Sequence, residues 1–264
     1  MTQSPDRAAP SGPPTGPVGV IPAAGKGLRL GLPYPKELYP IIRGGRYKPV
    51  AQHILENMVA AGVEHVVFVI NETKHQLVGY FGDGARFGCR ISYVYQDPDR
   101  KGQGGSAGLA EALDAAYHLF QGRQVVFGMA DTIIQPIDCF GPLLRKQEGQ
   151  DVDVHLGLFP TDTPHLVGIV DHDGNGGVKA ILDKQPPQDL FDMWGIIVWG
   201  PRFGDYLHER VANDEAPDFA TILNGALADG LEFRGSKLLG GNYTDVGTYE
   251  TIELLEQGQQ GGEA

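Results

Sequence analysis

Val18-Gly19-Val20-Ile21-Pro22-Ala23-Ala24-Gly25-Lys26-Gly27-Leu28-Arg29-Leu30-Gly31 is a short apolar run that breaks into a glycine loop. Glycines let a backbone approach a phosphate closely, and their N–H groups can line an anion nest. From Val20 to Pro40 the cations are Lys26, Arg29 and Lys36, and the only anion is Glu37. The stretch is therefore positive inside a chain of net charge −12. It is not a Walker A loop, because no GxxxxGK[ST] string exists. Gly25-Lys26-Gly27-Leu28-Arg29-Leu30-Gly31 is one residue too long for the GxGxxG dinucleotide fingerprint. The acid that should follow about 20 residues later is also missing. A strand feeding a cationic glycine loop predicts a phosphate site of another kind.

Working outward, apolar strands alternate with helical patterns. Val50, Ile54 and Met58 recur every four residues between Pro49 and Ala61, with Pro49 suited to a first turn. His65–Ile70 is almost wholly apolar, as a strand covered on both faces should be. Ile91–Tyr95 and Gln124–Gly128 read as further strands around a helix from Ser106 to Leu119. This rhythm predicts a parallel sheet with crossover helices. After Asp151 the strand-like runs Val152–Phe159, Leu166–Val170, Val178–Leu182 and Met193–Val198 follow with short turns, then helices at Arg202–Val211 and Phe219–Leu227. The second half is expected to add mixed strands over the C-terminal edge of the sheet, where ligands bind in open α/β folds.

The chain has 264 residues, enough for one domain with a substantial core. Residues 1–17 hold five prolines without apolar periodicity and read as a disordered tail. Residues 256–264 read as a flexible polar tail, leaving a single domain over residues 18–255. An acidic balance argues against nucleic acid as a partner. No apolar run reaches the ~20 residues of a membrane span. The N-terminus lacks the basic and apolar regions of a signal peptide. A cytoplasmic protein with small-molecule substrates is expected. Cys89 and Cys139 lack metal-ligand spacing and read as buried thiols.

The motifs, in order, resemble the sugar-phosphate nucleotidyltransferase family, typified by glucose-1-phosphate thymidylyltransferase. Gly25-Lys26-Gly27-Leu28-Arg29-Leu30, Pro35-Lys36 and Tyr39-Pro40-Ile41 match its first motif, with Leu28 in place of the usual Thr. Gly82–Gly88, Gly105–Gly108, Val167-Gly168, Lys184 and Tyr243–Thr248 follow in the family's order. The short gap between Arg29 and Lys36 also resembles cytidylyltransferases. The resemblance implies a Rossmann-like three-layer α/β sandwich with a mostly parallel central sheet. It implies an enzyme that condenses an NTP with a sugar 1-phosphate, giving an NDP-sugar and pyrophosphate. The alternatives are a cytidylyltransferase for another alcohol phosphate and a non-catalytic nucleotide or sugar-phosphate sensor.

Residue by residue, the resemblance makes Arg29 and Lys36 catalytic. Ala24, Gly25, Lys26, Gly27, Gly105 and Ser106 would bind the nucleotide, and Gln96 would read the base unless it is merely a polar strand end. Asp131 and Asp245 would hold Mg²⁺ as the cofactor; each could instead be a helix N-cap. Val167, Gly168, Asp183, Lys184, Trp194 and Gly195 would take the sugar phosphate. Lys184 could also be a surface lysine. Trp194 is bulky where the family has a smaller polar residue, so it would shape the sugar pocket or else pack in the core. Thymidylyl or uridylyl transfer is the favoured activity, and a homo-oligomer is compatible with the family.

Overall fold

The computed structural model describes residues 16–25, 27, 30–43, 46–97, 108–147, 152–183, 189–213, 218–238 and 240–260. The apolar run at the start is β1 (Val18–Pro22), buried along its whole length. A hairpin follows, β2 (Pro40–Arg43) and β3 (Arg46–Pro49), then α1 (Val50–Ala60), β4 (His65–Ile70), α2 (His75–Phe81) and β5 (Arg90–Tyr95). Next come α3 (Leu109–Ala115), α4 (Tyr117–Phe120), β6 (Val125–Gly128), β7 (Thr132–Gln135), α5 (Gly141–Gln147) and β8 (Val154–Pro160). The last part is β9 (Gly168–His172), β10 (Val178–Asp183), β11 (Asp192–Trp199), α6 (Pro201–Ala212), α7 (Phe219–Ala228), β12 (Phe233–Lys237), β13 (Asn242–Asp245) and α8 (Tyr249–Gln260).

Among the described residues nine strands form one sheet. Its parallel centre runs β5-β4-β1-β6. The chain lays β4 and β5 on one side of β1, then returns to place β6 on the other. Strand order therefore reverses between β1 and β6, and such a switch point opens a crevice at the C-terminal ends of the two strands. β11 runs antiparallel to β6 and continues past its end. Ile196 is the last residue opposite β6, at Gly128, and Met193 already pairs with Ile169 of β9. The β9–β10 pair thus stands beyond the C-terminal edge of the parallel strands, as the sequence predicts. β8 and β12 instead extend the same sheet sideways from β11. Asn224 of α7 accepts from the Ile181 N–H at 2.9 Å and donates to its carbonyl at 2.7 Å, so the outer strand β10 is partnered by a helix side chain.

Alternation along the strands splits the core into two layers. Val67 and Val69 of β4 join Phe127, Trp199, Phe203 and Phe219 under α3, α6 and α7. Val66, Phe68 and Ile70 face the other way, into Ile54, Met58, Phe81 and Phe140 under α1, α2 and α5. This is the predicted three-layer sandwich. A third cluster joins Leu30, Ile41, Val50, Ile133, Val246 and Ile252, so α8 seals the end of the glycine loop against the hairpin and β7.

Local departures from the sequence reading have simple causes. Pro49 closes β3 and precedes the first helical residue, with φ −60°, and so does not sit within the first turn. The helix expected up to Leu119 is two, broken at Ala116, whose N–H bonds the Leu113 carbonyl three residues back. α8 runs to Gln260, past the end expected at Leu255. Its added residues are mostly Glu and Gln, good helix formers that offset one glycine costing about 1 kcal/mol. Among the described residues no helix is long and apolar enough to cross a membrane.

Cys89 and Cys139 are fully buried. Burial, aided by the neighbouring acids Asp83 and Asp138 respectively, pushes both thiols up to about 12. Neither is a thiolate near neutral pH. At pH 8 fewer than about 0.2 thiols per chain should react with an aromatic disulfide within minutes, and both cysteines should react after unfolding. Rapid native reaction of either would place it at the surface.

Candidate active site

The switch point between β1 and β6 holds a cleft of about 200 Å³. One wall is Pro22–Gly25, where β1 ends and the glycine loop begins; the facing wall is Met129–Asp131, just past β6. Lys36 and Glu37 enter from a 3₁₀ turn, and Gln96, Gly108 and Ala112 close the far side. Gly27 has φ +62°, a left-handed turn that a side chain would strain. Ala24, Gly25, Lys36, Gln96 and Asp131, predicted from separate motifs, therefore share one cleft.

Lys36 Nζ donates to Asp131 Oδ2, and both side chains are largely withdrawn from solvent. Asp131 caps no helix, because the next element is the strand β7. That strand pairs antiparallel with β13 in a separate two-stranded ribbon, setting Asp245 opposite Thr132. The Val246 N–H bonds the Asp131 carbonyl at 2.8 Å. Asp245 does not cap α8 either; Thr248 accepts from the Thr251 N–H at 3.3 Å in that role. The ribbon thus sets the backbone of Asp245 beside that of Asp131, the two carboxylate residues that the sequence selects. Burial, then the charges of Asp131 and Asp245, push the Tyr243 hydroxyl well above its ordinary value. Two carboxylates beside a phosphate-sized cleft suit a hard divalent cation that also takes phosphate and water oxygens.

Gln96 is buried, and its Nε2 donates to the Gly108 carbonyl at 3.3 Å. Gly108 in turn donates its N–H to Glu111 Oε2 at 2.9 Å, starting α3. Lys26, Arg29, Gly105, Ser106 and Lys184 lie outside the described residues.

Two residues of the turn system were not singled out from the sequence. Asn71 ends β4, donates from Nδ2 to the Ala24 carbonyl at 2.5 Å, and accepts from the Thr73 N–H at 2.9 Å. Lys74 Nζ donates to both carboxylate oxygens of Glu37, at 2.9 and 2.8 Å, with both side chains 2% exposed. Burial raises the Glu37 pKa and the Lys74 charge opposes that rise. The signal was position: Asn71 and Lys74 directly follow a strand buried on both faces, where parallel strands deliver side chains to a crevice.

The sugar-side prediction divides. Asp183 pairs with Gly168 across β9–β10, next to Val167, beyond the end of β6 and outside the lining of the cleft. Gly195 is buried beneath Tyr243 and Phe159. Trp194 packs 6.2 Å from Phe127 and 6.1 Å from Phe219 between ring centroids, on the α6–α7 side of the sheet. A Cβ at Gly168 would come within 2.3 Å of its Nε1, so the indole fills the space over that glycine. This placement favours the packing role over the pocket role. Trp194→Ala should cost about 3 kcal/mol of unfolding free energy in urea, as truncating a packed aromatic does. An unchanged midpoint would return Trp194 to the pocket.

The chain matches the nucleotidyl transferase family over residues 18–258. It is 25% identical over 249 residues to the low-salt glycan biosynthesis nucleotidyltransferase of Haloferax volcanii, covering 91% of this chain and 65% of that protein. It is 38% identical over 184 residues to the UTP–glucose-1-phosphate uridylyltransferase of Mycoplasma pneumoniae, covering 67% of this chain and 57% of the relative. The chain spans about half to two-thirds of the length of the curated relatives it matches. A Bacillus anthracis protein provisionally named a glucose-1-phosphate thymidylyltransferase, crystallised with sucrose, shares the fold. Its TM-score is 0.77 at 22% identity, over 92% of this chain and 94% of that one. With its glycine loop, its paired carboxylates and a match along nearly all of its folded length, the chain belongs to the nucleotidyl transferase family.

Proposed function

We propose that the chain condenses an NTP with a sugar 1-phosphate, releasing pyrophosphate and forming an NDP-sugar. The observation that carries this reading is the Lys36–Asp131 pair at the switch point beside the glycine loop, with Asp245 on the strand paired alongside. Such chemistry asks a protein mainly for position and charge neutralisation. A sugar phosphate oxygen attacks the α-phosphorus in line as the bond to pyrophosphate breaks. Lys36 bridges the attacking phosphate and the α-phosphate, and Arg29 neutralises the departing pyrophosphate. Asp131 and Asp245 would hold Mg²⁺, which supplies charge neutralisation to the triphosphate when bound. Ala24, Gly25, Lys26, Gly27, Gly105 and Ser106 hold the nucleotide through the loop backbones.

The Gln96 amide offers one donor and one acceptor, complementary to the N3–H and carbonyl edge that uracil and thymine share. UTP or dTTP is therefore the proposed donor. Val167, Gly168 and Asp183, at the β9–β10 end, form the sugar side together with Lys184, which lies outside the described residues. The proposed substrates support a cytoplasmic activity, and the net charge of −12 disfavours nucleic acid. A homo-oligomer accords with this function.

The decisive measurement is pyrophosphate release across a panel of NTPs and sugar 1-phosphates. UTP or dTTP with a hexose 1-phosphate should give turnover. Nucleotide binding without release for every pair would make the chain a sensor. Asp131→Asn and Asp245→Asn keep shape but remove charge, so each should raise the Mg²⁺ concentration for half-maximal rate by about tenfold or more. An unchanged titration removes that residue from cation binding. Lys36→Ala should lower kcat by about 10²-fold while leaving thermal unfolding in place.

A further inference from the structure

Lys74 and Glu37 form a buried ion pair that the proposed chemistry does not use. The pair is bidentate, with Nζ 2.9 and 2.8 Å from the two carboxylate oxygens. Taking two charges out of water costs about as much as their attraction returns, so stability alone is a weak reason for such a pair. Its position supplies a better one. Glu37 adjoins Lys36 in the 3₁₀ turn Lys36–Leu38, lines the cleft, and feels the Lys36 charge. Lys74 sits at the end of a second 3₁₀ turn, Glu72–Lys74, capped by Asn71. Asn71 also holds the Ala24 carbonyl. One turn after β4 therefore anchors both the root of the glycine loop and the turn that carries Lys36.

We propose that Lys74 is a positioning residue for Lys36: by neutralising Glu37 it keeps that carboxylate from capturing the neighbouring ammonium, and so keeps Lys36 directed across the cleft toward Asp131 and substrate phosphate. Without Lys74 the buried carboxylate of Glu37 has one cation next to it in the chain, Lys36. A turn of Lys36 toward Glu37 withdraws it from the cleft. The defect follows from the Glu37 charge, so neutralising that charge repairs it. The inference rests on the assignment of Lys36 to phosphate, and its test includes a readout that needs no turnover.

Three variants decide the matter: Lys74→Met, Lys74→Arg and the double Lys74→Met/Glu37→Gln. Each is assayed for kcat and KM in pyrophosphate release. Each is also labelled with pyridoxal 5′-phosphate and borohydride, with the Lys36 peptide quantified by mass spectrometry. Lys74→Met should lose about 10²-fold in kcat while KM for the NTP changes by less than about threefold. Lys36 labelling should fall by about fivefold or more. Lys74→Arg keeps the charge and should stay within about tenfold of wild-type kcat. The double variant should regain at least about tenfold of the lost kcat and most of the labelling, because no carboxylate is left to compete. A merely structural lysine would show no such rescue: a double variant as impaired as Lys74→Met, or a Lys74→Met protein with wild-type kcat and labelling, overturns the proposal. If Lys74→Met does not fold, the double variant is compared with wild type directly. Labelling within about twofold upholds the inference and a loss beyond about tenfold overturns it. A wild-type protein that releases no pyrophosphate with any substrate pair refutes the proposed function, and the labelling series then decides the role of Lys74 by itself.

Discussion

The pairing of β7 with β13 is the constraint on which the site depends. Asp131 reaches the cleft because β6 delivers it there, as any strand end at a switch point would. Asp245 has no such route. It is brought in by a four-residue ribbon, Asn242–Asp245 against Thr132–Gln135, and by the bond from the Val246 N–H to the Asp131 carbonyl. Short isolated ribbons are marginal in water. This one is held by the cluster beneath it, in which Val246 and Ile252 meet Ile133, Val50, Ile41 and Leu30. The same cluster holds Leu30, where the glycine loop ends, so one small patch of apolar contact joins the end of that loop to the ribbon.

Electrostatics sharpen this arrangement. Counted along the sequence, the glycine loop region carries three cations and one anion. In space that anion, Glu37, is matched by Lys74 from a different part of the chain. Among the described residues Glu37 is thus matched by Lys74 and Lys36 by Asp131, in a molecule whose net charge is −12. The two carboxylates that line the cleft, Glu37 and Asp131, are therefore each held by a lysine. The surrounding acidity does not oppose this at short range, since exposed charges beyond about 8–10 Å are screened at physiological salt.

What could be read from the sequence was what is local. Burial on both faces makes His65–Ile70 nearly pure apolar, and the four-residue spacing of Val50, Ile54 and Met58 survives as α1. Asp131 was legible because a strand end is visible in the sequence. The β2–β3 and β7–β13 ribbons were missed, since each is made of four-residue strands too short for an alternation to stand out. Lys74 was missed because nothing near it in the chain is its partner; Glu37 lies on an earlier loop and meets it only after β1 and β4 pair. Trp194 shows the limit of motif reasoning. Its neighbours in the motif suggested a pocket, while strand alternation turns its indole to the opposite face from Met193, toward Phe127 and Phe219.

The late placement of β13 also has a consequence for synthesis. Ribosomes release a chain from its N-terminus, and domains begin to fold as they emerge. The central strands β1, β4, β5 and β6, together with the Lys74–Glu37 pair, can assemble while the rest is still being translated. Asp131 then waits beside an unfilled place in its ribbon until Asn242–Asp245 has been made and exported. A nascent chain can thus hold the cleft between β1 and β6 before it holds both Asp131 and Asp245.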